Sequence, residues 1–156
     1  AWPQRLNQAS AQQHPSSQPQ PLLSPAQQKA VVDVCARELL TAYGLRSLDP
    51  EHPNYQGHYG GDRWQRDGSY HQGTAWGWLL GVFVQSHWQV YQDGAAVQHF
   101  LAPMADHLQA GCVGTVSEIF DGDRPFVPRG AFAQAWSVAE LLRLQHAIAL
   151  ATPAVR

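Results

Sequence analysis

Charge is scarce in this sequence: Asp, Glu, Lys and Arg together make up 14% of the residues, against about a quarter in ordinary soluble domains. The formal net charge of -2 offers no broad basic field for nucleic acid or an anionic lipid surface, and neither is an expected partner. Cysteine is as rare. Cys35 and Cys112 stand alone and far apart, too sparse for a disulfide framework and without a zinc-type spacing, so both are expected as buried thiols in a reducing compartment. No apolar run approaches the length of a membrane span. Ala1 to Ser10 has neither a basic n-region nor an apolar h-region, so no signal peptide is expected and a cytoplasmic location follows. A Gly-rich phosphate loop between strand and helix is missing, as is a Ser or Cys nucleophile elbow, and no cofactor is expected.

Aromatic residues, in contrast, are plentiful at 10%, six of them Trp, within an apolar fraction of 44% over 156 residues. That length suits one domain with a real core. Filling that core is the ordinary use of Trp. Sugar-binding clefts also favour indole, because the C–H face of a pyranose packs against it.

Residues 1–23, rich in Gln, Pro and Ser, read as an extended or loosely ordered arm. Folded structure begins at Ser24-Pro25-Ala26-Gln27, which supplies an N-cap Ser, a Pro at the first helical position and a capping-box Gln. Helical spacing of Val31, Val34, Cys35, Leu39 and Ala42 predicts a helix over 25–43, which Gly44 closes. A long aromatic-dotted loop, 45–72, follows, punctuated by Pro50, Pro53, Gly57, Gly60, Gly61 and Gly68; loops of this length in a compact domain are functional or disordered, and its Tyr, Trp, His and Arg argue for function. Trp76, Leu79, Leu80, Phe83, Val84, Trp88 and Tyr91 predict a helix over 74–92 that is apolar nearly all round and therefore buried on several sides. Asp93 caps a third helix, 94–109, with Val97, Phe100, Leu101, Met104 and Leu108 on its apolar stripe; Pro103 should bend or split it, and Gly111 should stop it. Loop 112–130 then leads to a last helix, 131–149, with apolar Ala135, Val138, Leu142 and Ile148–Ala149. The body of the domain is 24–150 and the tail 151–156. Four helices with no strand run predict an all-α fold. Alternating long and short connections bring loops 45–72 and 112–130 to the same end.

Loop 112–130 carries Glu118, Asp121 and Asp123 beside Ile119, Phe120 and Phe126. Glycoside hydrolysis needs one carboxyl to protonate the leaving oxygen and another to activate water or attack carbon, and apolar neighbours tune such groups by partial burial. On spacing alone an Asp/Gly-rich loop of this kind is more often a solvated turn. His58, Asp62, Asp67 and His71 match no common metal-ligand spacing, and no metal is expected.

Five ordered stretches add a more specific signal. Glu38–Leu48 (ELLTAYGLRSL) resembles the ELLTPYGLRSL segment of the glycogen debranching enzyme family. Arg5-Leu6-Asn7-Gln8 is similar to its RPNQ stretch, and Arg66–Gly81 (RDGSYHQGTAWGWLLG) to RDGAYHQGTVWPWLLG. Gly114–Gly122 (GTVSEIFDG) resembles GTISEIFDG, and Gln134–Leu141 is identical to QAWSVAEL. The resemblance covers most of 5–144 and implies the C-terminal amylo-α-1,6-glucosidase domain, an (α/α)6 toroid with its site at one end. It implies inverting hydrolysis of α-1,6-linked glucose stubs on trimmed glycogen or limit dextrin. Glu118 takes the general-base role. Tyr70, His71, Gln72, Trp76, Gln134 and Trp136 line the sugar pocket, with Arg5 and Asn7 near it, and Asp121 and Asp123 shape the turn or bind sugar hydroxyls.

Departures from the family pattern are Leu6, Ala42 and Gly77 in place of Pro, and an unusually polar stretch between Gln8 and Ser24. The chain offers about four of the ring's twelve helices, and the WGRD-like segment that carries the family's general acid upstream is not in it. The isolated chain is therefore expected to be an incomplete, inactive portion whose partner is the remaining upstream sequence. A non-catalytic carbohydrate-binding or scaffold remnant is the alternative, and a helical interaction module unrelated to sugars is the third reading.

Overall fold

The computed structural model describes residues 22–110 and 113–151. Arg5, Asn7, Gly111, Cys112 and nearly all of the arm and tail lie outside the described residues. Helix α1 (Pro25–Val34) starts as expected: the Ser24 side chain accepts from Gln27 N–H while Gln27 reaches back to the Ser24 N–H, a reciprocal box that satisfies two otherwise free donors. It does not run on to residue 43. A π-helical turn, Cys35–Leu39, ends it, with Leu40 already extended. Gly44 is no helix cap. It lies against the Trp76 carbonyl, where a Cβ would come within 2.2 Å of the oxygen.

The remaining helices are α2 (Arg63–Ser69), α3 (Gly77–Tyr91), α4 (Gly94–His107) and α5 (Ala135–Ala151). Helix α2 is an addition inside the predicted loop 45–72. Asp62 caps it by accepting from Gln65 N–H, and Gln65 returns a bond to Asp62 N–H. Asp93 caps α4 through Ala95 and Ala96, and Pro103 is accommodated within one unbroken helix. Proline that far from the start removes a single backbone bond, which tertiary packing can absorb.

A second difference concerns fold class. The described chain is mostly helical but carries a small antiparallel sheet of four strands, ordered β1-β2-β3-β4: Leu45–Arg46, Ala75–Trp76, Ile119–Phe120 and Pro128–Arg129. Leu45 pairs with Trp76, Ala75 with Phe120 and Ile119 with Arg129. Each strand has two residues, too few for any alternation to show in sequence. The sheet ties the two long loops together. Arg46 Nε donates to the Gly122 carbonyl at 2.8 Å, and Gly122 N–H donates to the Gly57 carbonyl at 2.6 Å. A Cβ on Gly122 would fall 2.1 Å from the Gly73 oxygen, so only glycine permits this approach.

The core joins α3, α4 and α5 to the sheet through Leu80, Phe83, Val84, Val97, Leu101, Met104, Phe120 and Leu144. Helix α3 makes its most extensive contact with α5. The stripe predicted for α4 is the buried one, apart from the exposed Leu108. That of α5 is only partly so: Val138 and Ile148 pack against the core, but the buried positions are Ser137, Leu144 and Ala147, and Leu142 is 64% exposed. Cys35 is half-buried. Trp is not mainly core filling either, because among the described Trp residues only Trp76 is buried and Trp64 and Trp136 are exposed. No described helix is long and apolar enough to cross a membrane.

Candidate active site

Glu118 leads into β3, opposite the segment that leaves β4. Its N–H donates to the Ala131 carbonyl at 2.9 Å, and its own carbonyl accepts from Gly77 N–H, the first residue of α3. These backbone bonds fix the carboxylate between three elements. Its Oε1 accepts from Tyr70 OH at 2.5 Å and from Gln134 Nε2 at 3.1 Å, while Oε2 accepts from Ala131 N–H at 3.0 Å. Burial pushes the Glu118 carboxyl up, but the bonds from Tyr70, Ala131 and Gln134 outweigh it and hold the group below its ordinary range. Tyr70 moves the opposite way, raised by burial and by its bond to Glu118. The proton therefore stays on Tyr70 and the charge on Glu118 at neutral pH.

Tyr70 is the C-cap of α2 and joins the carboxylate to an aromatic wall. Its ring meets His71 and Trp76 edge-on at 4.8 and 4.9 Å, and His71 stacks on Trp76 with planes 3° apart. Trp136 lies 6.1 Å from Trp76 and 6.4 Å from Trp78. Beside this wall opens a cavity of about 630 Å³ lined by Ser47, Tyr70, His71, Trp76, Trp78, Leu79, Trp136, Ala139 and Glu140. Glu118 is not in its lining and reaches it through Tyr70.

Asp121 does not line this cavity and, of its two expected roles, is placed for shaping the turn. It is buried, and its oxygens are occupied: Oδ1 by Tyr59 N–H at 2.9 Å, both oxygens by the Arg129 guanidinium at 3.0–3.2 Å, and Oδ2 by His58 Nδ1 at 3.2 Å. A carboxylate so saturated is a clamp between the two loops, because a buried charge is tolerated only when paired. Asp123, at the surface, accepts from Tyr55 OH at 2.9 Å; burial and this bond push the Tyr55 hydroxyl up to about 12. Gln72 contributes its backbone carbonyl, which accepts from Gln56 N–H at 2.6 Å, and it does not line the cavity. Among the described residues no group of three or more His, Cys, Asp or Glu side chains is placed to hold a metal.

A family model described as amylo-alpha-1,6-glucosidase matches residues 5–143. The chain belongs to this family. The match is to the C-terminal domain of glycogen debranching enzymes. A search of the curated proteins finds no match. Of the residues expected at the site, the structure brings together Glu118, Tyr70, His71, Trp76, Gln134 and Trp136. Sequence reasoning missed the Ala131 N–H, Arg129, Tyr59, Trp78 and Glu140. Trp78 was the most accessible of these, two residues beyond Trp76 at a helix start. A backbone donor such as Ala131 leaves no side-chain signal.

Proposed function

We propose that this chain carries the general-base half of an inverting glucosidase site that hydrolyses α-1,6-linked glucose stubs on glycogen or limit dextrin. The observation that carries the reading is the bond from Tyr70 OH to Glu118 Oε1, which ties an ionised carboxylate to the wall of an aromatic cavity. An ionised carboxylate accepts a proton from water; the water oxygen then bonds to the anomeric carbon as the glycosidic C–O bond breaks. The leaving oxygen needs a proton from a second carboxyl, set about 6.5–9.5 Å from the base so that the water fits between them. Trp76, Trp78 and Trp136 offer indole surface to the C–H faces of glucose, and His71 and Tyr70 add polar edges. The remaining helices of an (α/α)6 ring, and the general acid, come in this reading from upstream sequence of a longer, cytoplasmic enzyme.

One observation favours the alternative for the chain taken by itself. The other carboxylates around the site are engaged: Asp121 by Arg129, Asp123 by Tyr55 and Glu140 by Arg143. None of these three is free to protonate a leaving group, and on this reading the chain taken by itself binds glucan without cleaving it. Quenching of Trp fluorescence by a limit dextrin, without glucose release, is the expected result for it.

In the full-length protein, Glu118→Gln keeps the shape and removes the base. Glucose release should fall at least about a hundredfold, the low end for general-base catalysis, with binding of a limit dextrin little changed. Asp123→Asn should retain activity, and Asp121→Asn should act mainly on stability. A Glu118→Gln enzyme that keeps its rate while an Asp variant loses it would show the base to be misassigned.

A further inference from the structure

Resting on the reading of Glu118 as base, the geometry points to one of its two oxygens, Oε2, as the atom that takes the proton from water, and to Gly130 as the positioning residue that keeps this oxygen in place. A carboxylate offers about four acceptor directions, two on each oxygen. Both on Oε1 are taken, by Tyr70 OH and Gln134 Nε2. Oε2 has a single partner, the Ala131 N–H, and so retains an open lone pair. An attacking water held there transfers its proton to Oε2, keeps the O–H electron pair and bonds to the anomeric carbon; the departing glycosidic oxygen collects its proton from the general acid.

Gly130 bears directly on that oxygen. It holds a left-handed φ of +67°, and a Cβ built on it would sit 2.5 Å from Oε2 and 3.2 Å from the Glu118 Cβ. No side chain at 130 can coexist with the present carboxylate position. The contact comes from the residue before Ala131, so the same turn supplies both the donor to Oε2 and the space around it. Tyr70 and Gln134 then act as positioning residues on the other oxygen. They hold the charge on the group without competing for the water.

Gly114 provides the control. Its φ is +81°, equally unfavourable for a side chain, but a Cβ there meets nothing within 4 Å. In the full-length protein, Gly130→Ala and Gly114→Ala should both lower Tm through backbone strain, Gly130→Ala the more because its Cβ also meets Glu118 and Ile119. Only Gly130→Ala should lose kcat, by on the order of a hundredfold for a displacement of about 1 Å, with KM nearly unchanged. A second variant serves if Gly130→Ala does not fold. Tyr70→Phe removes one bond from Oε1 as well as a polar edge of the cavity wall, so the rate should fall and the acid limb of the kcat–pH profile should move to higher pH. Glu118→Gln, measured in parallel, separates the two claims. If it is inactive while Gly130→Ala turns over at the wild-type rate, or while Tyr70→Phe leaves the acid limb unmoved, the base stands and the assignment to Oε2 is overturned. If Glu118→Gln is active, both are overturned.

Discussion

Burial and hydrogen bonding act on single side chains in opposition at one residue and in concert at another. At Glu118 they oppose, the hydrogen bonds win and the charge is kept. At His107 they agree: the ring packs against Tyr43 and Phe120, burial lowers the imidazole below its ordinary value of 6.5, and Nε2, accepting from Ser117 N–H at 3.2 Å, is engaged in its unprotonated form. His87 is lowered in the same way. An unfolded histidine gains its proton below about 6.5, where the folded one still resists it, so the unfolded state binds more protons there. Stability is complete above that pH and declines as the pH falls from it towards the depressed folded value. The midpoint of urea unfolding should drop between about pH 7 and pH 5.5, and His107→Gln should flatten part of that slope while lowering stability throughout. A slope unchanged by the substitution would place the titration elsewhere. Because Ser117 precedes the base, the same neutral imidazole also anchors the backbone from which Glu118 projects.

Among the elements, the parts that were legible in the sequence are those whose causes are local. The Ser24 box and the Asp93 cap each need only a few neighbouring residues, and the apolar stripe of α4 repeats for three turns. The sheet was not legible, because two-residue strands draw their partners from positions far along the chain. The buried side of α5 was legible only in Val138 and Ile148, for a related reason: it contains Ser137, whose packing against Gly77 no hydropathy pattern announces. Glu118 could be singled out by its family block, whereas the clamp role of Asp121 depends on Arg129 and Tyr59 arriving from two other segments. Helix α2 was hidden by the glycines around it, although Asp62 and Gln65 form a cap as regular as that of α1. This cap matters because Tyr70 ends the helix. Asp62→Ala should cost about 1 kcal/mol of local stability, read as a roughly fivefold loss of hydrogen-exchange protection in amides 66–72. Unchanged protection would show that packing, and not the cap, holds Tyr70 in place.

For the whole molecule, stability is concentrated where α3 and α5 meet. Leu144 is 1% exposed and Leu142 is 64% exposed on the same helix. Leu144→Ala should therefore cost about 2–5 kcal/mol in chemical denaturation, and Leu142→Ala no more than about 0.5 kcal/mol. Equal losses would mean that α5 is rotated from the arrangement described. The sheet also has a consequence for the order of events in folding. Its four short strands offer few bonds each, and joining them closes long segments of chain, as in the 76-residue separation between Arg46 and Gly122. Loop closure of that kind costs entropy before any pairing rewards it. Ile119 and Arg129 pair across a short loop and can meet early, whereas the pairs of Leu45 with Trp76 and of Ala75 with Phe120 close much longer ones, so the arrangement that brings Tyr70 to Glu118 is completed after the local structure on either side of it.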